Sequence, residues 1–169
     1  MIWKRAGKEI RVPLLEYLEN LIKDVKSLGH DLQVSVGTDS QRNGRGYKAA
    51  TVILIHTSED LGGGTNVGRG GKMIQAEYPL PVYQKGKEGV NERMIAEVGK
   101  SIEVATLIAP LLDEYNIKLE IHADINPNPK WESNKALSAA VGWILGSGYG
   151  FKIKPESFAA SNCGDRYCQ

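Results

Sequence analysis

The order of strand-like and helix-like segments constrains the fold of this chain more than any other feature of its sequence. Three strand-like runs come first, and helices then alternate with strands. The predicted strands span 32–39, 47–56, 73–78, 117–123 and 149–153, and the predicted helices span 9–28, 91–114, 132–146 and 155–167. This order is typical of an α/β fold, so we expect a five-stranded mixed sheet with helices on its faces.

The N-terminal helix at 9–28 is additional to this plan. We therefore expect residues 1–30 to form an N-terminal helical extension and residues 31–169 to form the main domain, within a single folded unit.

A glycine-rich segment at 58–72 lies between the second and third predicted strands. A phosphate-binding loop is disfavoured there, because the GxxxxGK[ST] pattern fails at every Gly-Lys pair of the chain. We expect a flexible hairpin loop instead.

The composition excludes several classes of protein. The chain has 21 basic and 20 acidic residues, a formal net charge of +1, so nucleic acid would have to be bound through a local patch. The run 49–55, which is aliphatic except for Thr51, is far shorter than the roughly 20 residues that a membrane helix needs. We see no signal peptide at the N-terminus, and Cys163 and Cys168 are too few for a disulfide framework. We expect a cytoplasmic protein that does not bind membranes.

Two acidic residues end predicted strands and are the strongest candidates for chemistry. Asp39 ends the first strand and Asp124 ends the fourth, and both continue the polar phase of their strands. If the two strands are neighbours, the acids lie side by side on one face, where a divalent cation would relieve their repulsion. Oxygen ligands of this kind suit Mg²⁺ or Mn²⁺. The alternative is that both are ordinary turn residues.

Four stretches of the sequence carry a family resemblance. They are VGTDSQ at 36–41, NERMIAEVGKSIEVA at 91–105, IHADINPNPKWESNKAL at 121–137 and GYGFKIKPESFAASNCGDRYC at 148–168. Together they resemble the ribonuclease H-like superfamily, and within it the YkuK-type family. The resemblance implies a ribonuclease H fold and an acidic metal site drawn from the first strand, the first core helix, the fourth strand and the last helix.

The resemblance assigns Asp39, Asp124 and Asp165 to the strand and last-helix positions of that site. Both Glu97 and Glu103 lie on the predicted core helix. Glu97 is roughly 90° from the centre of the apolar face and Glu103 roughly 150° from it, so we choose Glu97 as the residue that reaches the sheet. One departure from the family pattern is Gly164, which stands where an alanine usually precedes the last aspartate.

The resemblance implies a metal-dependent nuclease that hydrolyses RNA or DNA with two Mg²⁺ or Mn²⁺ ions held by the four acids. Ser40, Ser101 and His122 are candidates to support those ligands, although His122 is equally well read as a partly buried strand residue. Two alternatives stay open. The chain could be an inactive scaffold of this fold that binds nucleic acid or a protein partner, or a nucleotide-binding domain, which the missing phosphate loop disfavours.

Overall fold

One mixed sheet organises the molecule. The structure is a computed structural model, and it describes residues 1–44, 46–63, 65–81, 86–131, 134 and 136–168. The strands of these residues are β1 (Trp3–Arg5), β2 (Lys8–Glu9), β3 (Asp31–Asn43), β4 (Gly46–Asp60), β5 (Asn66–Leu80), β6 (Lys118–Ala123) and β7 (Gly150–Lys152). They form a seven-stranded sheet in the order β2-β1-β5-β4-β3-β6-β7. Strand β3 is central, antiparallel to β4 and parallel to β6.

Helices lie on both faces of the sheet. They are α1 (Leu14–Ser27), α2 (Gly86–Glu114), α3 (Leu137–Gly146), a π-helix (Ala159–Gly164) and α4 (Asp165–Cys168). Helices α1 and α2 cover the face that carries Val34 and Val36. A small cluster of Val52, Leu54 and Ala159 attaches the π-helix to the opposite face. Among the described residues, no helix combines the length and the apolar character that a membrane crossing requires.

The expected mixed sheet with flanking helices is confirmed, but the expected number of five strands is wrong. The two additional strands are the N-terminal hairpin β1–β2, and β1 extends the sheet by pairing Trp3 with Ala76 and Lys4 with Gln75. Strands of two and three residues are too short to show a periodic pattern. The helix expected from residue 9 therefore begins only at Leu14, after the extended backbone of Pro13.

The glycine-rich segment 58–72 is not the long loop that we expected. Strand β4 continues to Asp60 and β5 starts at Asn66, with a bulge in the pairing between Thr57 and Ser58. Glycine disfavours strands only weakly in comparison with a complete ladder of hydrogen bonds to a neighbouring strand. The β4–β5 hairpin is therefore longer than the composition suggests.

The last helices are shorter than expected. Turns occupy residues 154–157, where the Glu156 N–H donates to the Ile153 carbonyl at 2.8 Å, so the helix expected over 155–167 runs from Ala159 to Cys168. Helix α3 starts at Leu137 rather than at residue 132, and residues 132, 133 and 135 lie outside the described residues.

Close backbone contact holds the π-helix against the centre of β3. A Cβ atom on Gly37 would lie 2.5 Å from the backbone nitrogen of Ala160 and 2.9 Å from the carbonyl carbon of Ala159. These distances are below any normal contact, so only glycine permits this approach. The π-helix held by this contact leads directly to Asp165, the first residue of α4.

Candidate active site

The parallel pairing of β3 with β6 places Asp39 beside Asp124. The last pair of the ladder joins Thr38 to Ala123; Asp39 is the next residue of β3, and Asp124 directly follows the end of β6. Because side chains alternate along a strand, both carboxylates lie on the face that the π-helix covers. The two strands therefore bring together acids that are 85 positions apart in the sequence.

Asp39 is the most enclosed aspartate of the group, with 7% of its surface exposed. Burial raises the pKa of its carboxyl to about 6, and the negative charges of Asp124 and Asp165 act in the same direction. The backbone N–H of Ser40, which donates to Oδ1 at 2.8 Å, and the cation of Arg93 oppose this rise. Asp39 is thus held where a further cation would stabilise it.

Helix α2 contributes Glu97 and turns Glu103 outward. Glu97 is 3% exposed and accepts a hydrogen bond from Ser40 Oγ at 2.6 Å. Burial raises its pKa to about 8, and the charges of Asp39 and Asp124 add to the rise against the opposing effects of Arg93 and Ser40. Glu103 instead pairs with Lys100 at 2.7 Å on the surface.

Asp124 is held by neighbours from the C-terminal part of the chain, and Asp165 by a side chain of β3. Asp124 Oδ1 accepts a hydrogen bond from Ser161 Oγ and lies 3.0 Å from Lys154 Nζ. Asp165 begins α4 and accepts a hydrogen bond from the Gln41 side chain. The departure at Gly164 has a local reason, because a Cβ there would lie 2.9 Å from Asp39 Cβ.

The three residues expected to support the acids have different surroundings. Ser40 links two of them, through its N–H to Asp39 and its hydroxyl to Glu97. Ser101 bonds to neither of these two carboxylates; its Oγ lies 2.9 Å from Thr38 Oγ1 and 3.1 Å from the backbone carbonyl oxygen of Glu97.

His122 also stays apart from the acids. Its Nδ1 accepts the Ala159 N–H at 3.1 Å, and the side chain lines a separate groove that also includes Glu120 and Lys152. Burial lowers the pKa of His122 to about 4, so the ring is neutral near pH 7. Its surroundings are those of a buried histidine that positions the π-helix.

Several polar neighbours of the acids were not expected from the sequence. Arg93 lies one helical turn before Glu97, with Nε 3.8 Å from its carboxylate, and it donates to the Ser40 carbonyl at 2.7 Å. The i,i+4 spacing could have revealed it. Lys154 and Ser161 are distant in sequence from Asp124, and Gln41 is distant from Asp165, so only the fold brings each residue to the acid that it bonds to.

As they stand, the acids are bonded to these neighbours rather than arranged around an ion. Within the described ranges, no group of three or more His, Cys, Asp or Glu side chains is placed so that it could hold a metal ion.

The raised pKa values predict how the metal-free protein responds to pH. A carboxyl with a raised folded-state pKa binds more protons when folded, so stability falls as pH rises from its unfolded to its folded pKa. Between pH 6.5 and 8 the carboxyl that loses its proton in the folded state is chiefly that of Glu97. The lowered pKa of His122 affects stability only below about pH 6.5. We expect a loss of about 1–2 kcal/mol in this window, at about 1.4 kcal/mol per pKa unit.

Chemical denaturation in EDTA at pH 6.5 and pH 8 measures this loss. The Glu97→Gln variant should show a flatter profile, because it keeps the shape but not the titration. An equal decline in both proteins would assign the effect to another group.

A family model described as Ribonuclease H-like matches residues 15–169. The matched range begins in α1 and includes all four acids. No curated protein and no solved structure matches the chain.

Proposed function

Because the chain belongs to the ribonuclease H-like family, with which the YkuK-type resemblance agrees, we propose that it is a divalent-metal-dependent nuclease. It would hydrolyse phosphodiester bonds of RNA or DNA. One observation carries the proposal: burial raises the pKa values of Asp39 and Glu97, and the charge of Asp124 adds to both rises, as does that of Asp165 for Asp39. Without a cation, such an arrangement adds no stability to the protein. Buried acids with raised pKa values are typical of functional sites.

The donor set fits Mg²⁺ or Mn²⁺. Four carboxylates are hard oxygen ligands, and Asp39, Glu97, Asp124 and Asp165 would hold the metal. Two bound ions would activate the attacking water and stabilise charge on the leaving oxygen. Asp124 and Asp165 would have to exchange their present bonds to Ser161, Lys154 and Gln41 for metal ligation.

The residues of the chain have their own tasks in this proposal. Ser40 orients Asp39 and Glu97 relative to each other, because it bonds to both. Arg93 balances part of the negative charge next to Glu97, and its side chain packs over the Tyr47 ring at 5.8 Å from the centroid. The buried hydroxyls of Ser101, Thr38 and Thr51 form a hydrogen-bonded row that fixes α2 on the sheet.

A second candidate is the inactive scaffold that binds nucleic acid or a protein partner. One observation favours it: among the described side chains, no three acids are placed so that they could hold an ion. Such a scaffold would neither bind Mn²⁺ at these acids nor cleave.

Cleavage assays with a matched pair of variants test the proposal. Wild-type protein with Mn²⁺ is assayed on single-stranded RNA, an RNA/DNA hybrid, duplex DNA and branched DNA, with EDTA as the blank. We expect cleavage of at least one substrate, a loss of at least about a hundredfold in Glu97→Gln, as for removal of a metal ligand, and wild-type activity in Glu103→Gln. Both changes replace one carboxyl group of α2 by an amide, but only Glu97 lies close enough to Asp39 and Asp124 for their charges to raise its pKa.

The opposite pattern would count against the proposal. Failure of the wild type to cleave any of the four substrates would favour the inactive scaffold. Equal activity of both variants would exclude Glu97 from the site.

A further inference from the structure

A cavity of about 420 Å³ lies directly beside Asp124. Six described residues line it: Asn126, Pro127, Lys154, Pro155, Ser161 and Asn162. Lys154 and Ser161 are also the two residues that bond to Asp124 Oδ1, so the cavity adjoins the acid cluster.

The fold fixes Lys154 between the acid and the cavity. Its backbone N–H donates to the Ile125 carbonyl at 3.2 Å, which holds this residue beside the end of β6. Its Nζ lies 3.0 Å from Asp124, and 42% of its side chain is exposed. The ammonium group can therefore reach a molecule in the cavity without moving the backbone.

The lining of the cavity suits a phosphodiester. It provides an ammonium, a hydroxyl and two side-chain amides, and none of its six described lining residues is acidic. Groups of these types make most of the contacts between proteins and nucleic-acid phosphates. The two prolines restrict the loops that carry these groups, which reduces the entropy lost on binding.

We propose that this cavity binds a phosphate of the nucleic-acid backbone adjacent to the cleaved bond, with Lys154 as its cation. This inference rests on the proposed nuclease function and names a substrate contact for it. In the free protein Lys154 neutralises Asp124, and on binding it contacts the phosphate. The subsite recognises the backbone, so it acts equally on RNA and DNA.

Lys152 provides a matched control. It is two residues away, is similarly exposed at 38%, and also pairs with an acid, Glu120, at 3.6 Å. However, it lines the separate groove around His122 rather than the cavity beside Asp124. Loss of one positive charge is therefore the same in Lys152→Gln and Lys154→Gln, while the location differs.

Binding of labelled single-stranded RNA and DNA oligonucleotides is measured by fluorescence anisotropy in EDTA, over a range of salt concentrations. We expect Lys154→Gln to weaken the binding of both oligonucleotides about tenfold. The slope of log affinity against log salt concentration should fall by about one. Lys152→Gln should stay within about twofold of wild type, and Lys154→Arg should restore most of the affinity. Thermal melts of each variant confirm folding.

Because this assay has no cleavage step, it decides the subsite even if the nuclease proposal fails. An equal loss of oligonucleotide affinity in Lys152→Gln and Lys154→Gln would overturn the subsite. Failure of the wild type to bind either oligonucleotide would overturn it as well. A Lys154→Gln variant that binds Mn²⁺ more tightly but keeps full oligonucleotide affinity would make Lys154 a counterion of Asp124 only. Tight binding of inorganic phosphate with none of the oligonucleotide would also contradict the inference.

Discussion

The Asp39→Asn variant is expected to lose phosphodiester cleavage by at least about a hundredfold, because it removes a metal ligand rather than a supporting partner. The fold should be retained. Asparagine has nearly the same shape, and its Oδ1 can still accept the Ser40 N–H that now lies 2.8 Å from Asp39 Oδ1. Cleavage rates with saturating Mn²⁺ measure the effect.

The same substitution should stabilise the metal-free protein. Burial and the charges of Asp124 and Asp165 raise the pKa of Asp39 to about 6, so its ionised form is disfavoured in the folded state at pH 8. Removing that charge should add about 3 kcal/mol to the free energy of unfolding, at about 1.4 kcal/mol per pKa unit. Asp31→Asn, at the exposed start of the same strand, is the control.

Two outcomes for Asp39→Asn would contradict the assignment of Asp39 to a cation site. An Asp39→Asn variant that cleaves at the wild-type rate would exclude Asp39 as a ligand. A variant that is less stable than wild type in EDTA would mean that repulsion among these acids is not significant.

The Gly37→Ala variant is expected to lose about 3 kcal/mol of stability, at the upper end of the usual cost of overpacking. Its Cβ would meet the backbone of Ala159 and Ala160 at 2.5–2.9 Å, and backbone cannot rotate away as a flexible side chain can. For a chain of this size, the loss corresponds to a fall of about 6–12 °C in Tm. Differential scanning calorimetry measures it.

The region that Gly37→Ala destabilises is as informative as the size of the stability loss. The π-helix that contacts Gly37 leads directly to Asp165, so we expect faster amide exchange in residues 159–168 and reduced cleavage. Gly46→Ala on β4 is the control, because nothing lies within 4 Å of a Cβ at that position. An unchanged Tm in Gly37→Ala would show that the π-helix is not packed as closely as described.

Local patterns in the sequence were enough to predict the centre of the sheet. The polar phase of β3 and β6 predicted that Asp39 and Asp124 would share a face, and the parallel pairing of the strands places them so. The helical phase of α2 distinguished Glu97 from Glu103, and the structure buries the first and exposes the second. Each of these predictions uses only the periodicity of side chains along a single strand or helix.

Contacts between distant segments could not be predicted in this way. Nothing in the sequence near Asp124 indicates that Lys154 and Ser161 bond to it, because the turn at 154–157 and the π-helix bring them there. The N-terminal hairpin was missed because pairing with β5, rather than its own composition, forms β1. Gly164 is understandable only once Asp39 is seen to lie against it.

Titration of Mn²⁺ into the metal-free protein, followed by isothermal calorimetry, tests most directly whether the converging acids form a cation site. The account predicts saturable binding to the wild type, with binding strongly weakened in Asp39→Asn and unchanged in Asp31→Asn. Absence of binding to the wild type, or equal binding to all three proteins, would contradict it.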